Sequence, residues 1–322
     1  MTKVTRKLLL SIFSVVLTVV ALGATTFAWF TITNVASVQA FDADFKANQG
    51  IEIAIGDMGT GGYDDLNWVT NITADMVYAY INATHLAGGK TSFEFDHVTT
   101  HNGIDFRQIN SSYGFENVDR TAGYLEIPLH FRSESAEAII LAALNFNTPQ
   151  RNWRVDVPFV SHLDADDNPV WRNPGANMLV YGHDAIRVGF TAHEATTRTT
   201  IFEKPGNIQE SGTNHYLGGG EFDLTGQDHG IQGAAGAMNY FYAKNGALPT
   251  GTDGVILPET ETTLNAVNSE ILRLVKFYDD EGEPINPADD PGAAYYGKLT
   301  LRIWVEGWDA NAYNAILGSV LT

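Results

Sequence analysis

Apolar and polar residues alternate along segment after segment of this chain. Residues 51–55, 93–98, 124–131, 153–159, 185–190, 271–277 and 299–305 carry β-branched, aromatic and aliphatic side chains largely at every second position. Successive side chains of a strand point to opposite faces, so such segments bury one face and wet the other. The alternation therefore predicts at least seven strands, rich in the residue types that suit a pleated, half-buried surface. Residues 139–144 differ, because Ile139-Ile140-Leu141-Ala142-Ala143-Leu144 is an unbroken apolar run. It suits a central strand buried on both faces, and periodicity alone leaves a short helix open. Pro128 interrupts the 124–131 segment and cannot donate to a ladder, which predicts an edge strand or a bulge there.

Connections between these segments are long and rich in Gly, Asn, Asp and Pro, as in Gly59-Thr60-Gly61-Gly62, Gly218-Gly219-Gly220 and Glu281-Gly282-Glu283-Pro284. Many strands and few helical stretches predict an all-β chain: a jelly-roll-like antiparallel β-sandwich with long loops rather than an α/β enzyme fold. Short helices are expected at 234–244 and 309–317, the second with Asp309 as N-cap and Gly318 as its stop. Residues 191–254 are poor in alternation and read as a loop-rich insertion in a single domain spanning 29–322. The chain has 322 residues and 44% hydrophobic content, enough to bury a core. It has no cysteine, which excludes disulfides, zinc-thiolate sites, iron-sulfur clusters and cysteine nucleophiles. Its 38 acidic and 19 basic side chains give a net charge of -19, which repels nucleic acid. The expected partners are cationic, neutral or copies of the chain itself.

The first 28 residues read as an address. Lys3, Arg6 and Lys7 precede an apolar run over residues 8–23, and Thr26-Phe27-Ala28 places small residues at the -3 and -1 positions of a cleavage site. Residues 1–28 are thus expected to be a secretory signal peptide, with the mature chain starting at Trp29. The alternative is an uncleaved N-terminal anchor helix, since residues 8–33 are long and apolar enough to span a bilayer. Either way the bulk of the chain is expected outside the cytoplasm, secreted or at the cell surface, with membrane contact only if the signal is retained.

The stretch Gly23-Ala24-Thr25-Thr26-Phe27-Ala28-Trp29-Phe30-Thr31, with Phe45 and Gly50-Ile51-Glu52-Ile53-Ala54-Ile55 beyond it, resembles the TasA/camelysin family over about the first 55 residues. The chain lacks the acidic residue that often follows the cleavage point in that family. The resemblance implies processing by a dedicated signal peptidase and a jelly-roll subunit of extracellular matrix, or biofilm, fibres. It also implies assembly by donor-strand complementation. Trp29, Phe30, Ile32, Val35 and Val38 lie in a nearly uncharged, β-prone segment that is chemically suited to add to the open sheet edge of a next subunit. The same segment can instead complete its own sheet.

Candidate chemistry is sparse. Asp164, Asp166 and Asn168 stand at the first, third and fifth positions of a calcium-type loop. Pro169 and Gly175 replace the glycine and bidentate glutamate of an EF-hand, leaving a looser calcium site or a solvated Asx-rich turn. No other cofactor is expected. Asp279, Asp280, Glu281, Asp289 and Asp290 read as a soluble connection. His97 and His101 are four apart on a predicted strand, so they are not expected to share a metal. His193-Glu194 begins like a zincin motif, but Thr197 stands where the second histidine belongs. His183-Asp184 and Asp228-His229 can orient an imidazole, yet no Gly-x-Ser-x-Gly elbow supplies a nucleophile. Trp304 and Trp308 close the last strand, one expected in the core and the other free to meet a partner or a glycan.

These features predict a secreted non-enzymatic structural or matrix protein, a filament subunit that polymerises with itself. A carbohydrate-binding or adhesive module, with cell-wall or matrix polysaccharide as partner, is the alternative. A metal-dependent peptidase is a further one.

Overall fold

The computed structural model describes residues 50–86, 93–203, 236–247, 269–276 and 295–307, apart from 61, 122, 147, 164, 165 and 167. It also gives the backbone of four two-residue strands outside those ranges. The described chain is mostly β with two α-helices. In chain order the strands are β1 (Ala36–Ser37), β2 (Phe45–Lys46), β3 (Ile51–Ile55), β4 (Asn71–Ile72), β5 (Glu94–Phe95), β6 (His97–Thr100), β7 (Phe106–Ile109) and β8 (Phe115–Val118). They continue with β9 (Leu125–Ser133), β10 (Ala138–Leu141), β11 (Gln150–Arg154), β12 (Phe159–Leu163), β13 (Pro169–Arg172), β14 (Asn177–Tyr181), β15 (Ile186–Ala192) and β16 (Arg198–Glu203). Last come β17 (Glu221–Phe222), β18 (Val255–Ile256), β19 (Ser269–Arg273), β20 (Val275–Lys276) and β21 (Tyr295–Glu306). Helix α1 (Ala74–Thr84) lies between β4 and β5, and α2 (Gly236–Asn245) between β17 and β18.

A nine-stranded sheet is organised around β21. This strand is long enough to hold two partners in tandem along each side. On one side β15 pairs with Leu299–Val305 and β20 with Tyr295–Tyr296. On the other, β9 runs antiparallel over Tyr295–Ile303 and β6 adds in parallel at Val305–Glu306. Strand β16 flanks β15, β3 flanks β9, and β7 and β8 follow β6. Leu299, Leu301, Ile303 and Val305 turn inward with Val188 and Phe190 of β15, Ile127 and Leu129 of β9, and Ile53 of β3. The same core takes in Val77 and Ile81 of α1, Tyr240 and Phe241 of α2, and Leu272 of β19.

Residues 150–163 and 169–181 form one long antiparallel ribbon. Its two ladders, Gln150↔Tyr181 to Arg154↔Asn177 and Phe159↔Arg172 onward, share one register, with a shift between Val160 and His162. The ladder lapses around Pro158 and Pro174, which splits the predicted 153–159 strand in two. Helix α2 clamps the ribbon at that lapse. Tyr240 Oη donates to the Asp156 carboxylate at 3.1 Å, Lys244 Nζ pairs with Asp156 at 2.8 Å, and Asn239 Nδ2 donates to the Val160 carbonyl at 2.9 Å.

Several expectations need correction. Pro128 is neither at an edge nor in a bulge, because β9 is paired on both sides and Pro128 stands opposite Thr300 in regular register. Its carbonyl accepts from Gly56 N–H at 3.0 Å just beyond the end of β3. A strand residue's nitrogen faces the same way as its carbonyl, so the missing donor falls where β3 has run out. Residues 139–144 are not a doubly buried central strand: among the described residues β10 pairs only with β19, and Ile140 is 51% exposed. Residues 191–203 do not belong to an insertion, since β15 ends at Ala192 and β16 pairs with it throughout. The expected helix at 309–317 lies outside the described residues.

Candidate functional site

The two described pairs of the N-terminal segment seat it on an edge of its own chain. Strand β1 runs antiparallel to β5, with Ala36 opposite Phe95 and Ser37 opposite Glu94. Among the described residues β5 has no other strand partner. Its support comes from beneath: Phe95 and Phe93 are buried, their rings edge to face at 5.1 Å, and Phe93 in turn meets His85 at 5.7 Å.

His85 locks this edge to the main sheet. Its Nε2 accepts the Glu126 N–H at 3.0 Å, so Nε2 carries no proton. Thr84 Oγ1 spends its hydrogen on the Tyr80 carbonyl at 2.7 Å, which leaves it to accept from His85 Nδ1–H at 2.8 Å. The ring is therefore neutral with its proton on Nδ1. Burial, and then the charge of Arg120, lower its pKa to about 4. Glu126 stands between two guanidinium groups, Arg302 at 2.8 Å and Arg120 at 3.9 Å. Arg120 also reaches Tyr80 Oη at 3.3 Å and Asp57 at 3.6 Å. Burial and the Asp57 charge push the Tyr80 phenol up to about 12. None of these residues was singled out from sequence. Val77, Tyr80, Ile81 and Thr84 at helical spacing after Thr73 were the available signal for α1.

Of the sequence candidates, Trp29, Phe30, Ile32, Val35 and Val38 lie outside the described residues. Asp166 and Asn168 are exposed at the tip of the hairpin joining β12 to β13, and Asp164 lies outside the described residues. Trp304 is a core residue. It is fully buried, donates Nε1–H to Glu306 at 3.1 Å and packs edge-on to Phe106 at 5.3 Å, so it is not available to a glycan. Trp308 lies outside the described residues. Among the described residues the exposed tryptophan is Trp171 of β13, at 52%, with Leu179 of β14 at 50%.

The histidine motifs are engaged structurally. His97 is buried at the start of β6 while His101 is exposed beyond its end. Glu194, the base of a zincin reading, accepts from the Arg273 N–H at 2.7 Å and from Arg198 at 3.4 Å. Thr148 N–H donates to His183 Nδ1 at 2.9 Å, and His183 N–H returns a bond to Thr148 Oγ1 at 3.1 Å. With His183 and Asp184 both buried, that cluster is a clasp between chain segments. Asp228 and His229 lie outside the described residues. Among the described residues no group of three His, Asp or Glu is placed to hold a metal ion. No known family model, curated protein or solved structure matches the chain.

Proposed function

We propose that this chain is a secreted, non-enzymatic structural subunit that polymerises by strand donation, its sandwich arranged as a jelly roll. The observation that carries the reading is the β1–β5 ladder. A short strand from the N-terminal segment pairs with an edge that has no other described partner. Main-chain hydrogen bonds do not distinguish one copy's strand from another's, so the same edge can accept residues 29–38 of a neighbouring subunit. Cleavage after Ala28 would free that segment.

The test joins N-terminal sequencing of protein from its native host to negative-stain microscopy of the mature form. A terminus at Trp29 with filaments that vanish on deleting residues 29–38 is the expected result. An intact Met1 with isolated particles only would overturn it. Exposed Trp171 and Leu179 favour a second reading, an adhesive module for cell-wall polysaccharide. Retention on that polysaccharide, lost in Trp171→Ala, would support it.

A further inference from the structure

On the face of the main sheet opposite Leu299, Leu301 and Ile303, charges are largely paired across strands. Arg187 meets Glu203, Arg302 meets Glu126 at 2.8 Å and Arg132 meets Glu52 at 2.6 Å. One row departs from this pattern. Lys298 of β21 stands opposite His130 of β9. On its other side the His193 N–H donates to the Lys298 carbonyl at 3.0 Å. The His193 imidazole lies on the same face, with Nε2 2.7 Å from Thr300 Oγ1. The row therefore runs imidazole, ammonium, imidazole, with adjacent strands about 4.8 Å apart. Among the described residues no carboxylate lies within ion-pair distance of Lys298. Tyr63 packs edge-on to the buried His130 at 6.1 Å, which leaves partly buried Lys298 and exposed His193 as the accessible members.

We propose that His193, Lys298 and Thr300 form a carboxylate-binding site whose occupant is an acidic side chain of a second copy of this chain. Lys298 supplies the charge; the buried Thr300 hydroxyl, bonded to His193 Nε2, orients the ring, and the protonated imidazole presents its Nδ1–H to the carboxylate. Charge balance favours a second copy. At -19 the copies repel, and acidic side chains outnumber basic ones two to one, so the Lys298 ammonium, with no described carboxylate in ion-pair distance, offers a neighbouring copy a point of attraction. The choice of a second copy rests on the polymerising reading above; the carboxylate site itself does not.

Binding is linked to protons. Burial, then Lys298 and Arg302, hold the His193 pKa below its ordinary value, while Glu126 opposes them. His130 also faces this row, its own pKa lowered to about 4 by burial and then by Lys298, with Asp57 acting in the opposite sense. A carboxylate beside His193 offsets the two cations, so the site takes up a proton on binding and tightens as pH falls.

The experiment titrates full-length mature protein with acetate and follows the His193 ring signals by NMR, with chloride at matched ionic strength as control. A saturable shift, about tenfold tighter at pH 5.5 than at pH 8, abolished in Lys298→Gln and restored in Lys298→Arg, is expected. No saturable shift, or one unchanged in Lys298→Gln, overturns the site. Sedimentation at pH 6 then reads the occupant. Self-association weakened at least about fivefold by Lys298→Gln or competing acetate supports a second copy. Binding of oligogalacturonate with self-association unaffected overturns that assignment in favour of an acidic polysaccharide. Deleting residues 29–38 tests strand donation alone and leaves the acetate arm readable.

Discussion

Gly123 adopts φ +108°, and a Cβ there would sit 2.8 Å from the Asp96 backbone nitrogen. Neither the torsion nor the space accepts a side chain. Gly123→Ala is expected to cost about 2–3 kcal/mol in urea unfolding, from strain and overpacking together. Gly189 has a different reason: its missing Cβ makes room for the Trp304 ring, 3.1 Å away, on the neighbouring strand. Beside it, Arg187 and Glu203 form a fully buried ion pair between β15 and β16. Glu203→Gln takes the carboxylate of this pair away from the buried guanidinium, at an expected cost of about 3–5 kcal/mol. Arg187→Met with Glu203→Leu is expected to recover most of that loss, which a double-mutant cycle measures. Such pairings are invisible in sequence, because Arg187 and Glu203 reveal their partnership only once the β15–β16 register is known.

Strands β3, β9, β15 and β21 were legible because an apolar core face alternates in each with a mostly polar or small-residue face, which writes a period of two into the residues even where both faces are covered. Helix α1 was not. Its stripe of Val77 and Ile81 is two residues wide, and the aromatic and β-branched residues around it are as much at home in strands. Ile139 to Leu141 misled in the opposite sense, since an apolar run states affinity for a core but not how many strands flank it. The predicted helix over 234–244 corresponds to α2, whose clamp on Asp156 no local pattern announced. Tyr240→Phe keeps the ring against Phe159 and Trp153 but removes the hydroxyl bond to a carboxylate. It is expected to cost about 1.5–3 kcal/mol and to speed proteolysis near residues 236–247. As for the candidate site, residues 29–38 were readable as a β-prone stretch, whereas the pairing of Ala36–Ser37 with β5 depended on long-range contact.

Across the whole molecule, acidity works against the fold. Burial first of all, aided by Arg120 at His85 and Lys298 at His130, lowers these two histidines to about 4, and burial alone takes His97 to about 3. An unfolded histidine titrates near 6.5. Below that pH the unfolded chain binds protons that the folded chain refuses, so stability is complete above about pH 6.5 and falls as pH drops toward 4. Denaturant melts at pH 7.5, 6 and 5 are expected to show unfolding taking up between two and three protons near pH 5, roughly 3–4 kcal/mol per pH unit. A flat profile would show that these rings are solvated in the folded state. One consequence of β21 concerns time. The four described strands that flank it precede it in the chain, so during synthesis β6, β9, β15 and β20 emerge with the place between them vacant. Their pairing waits for residues 295–306, and closing such distant contacts is slow. The described residues up to 276 thus emerge from a ribosome before the main sheet can close, and that sheet stays open for as long as β21 is delayed.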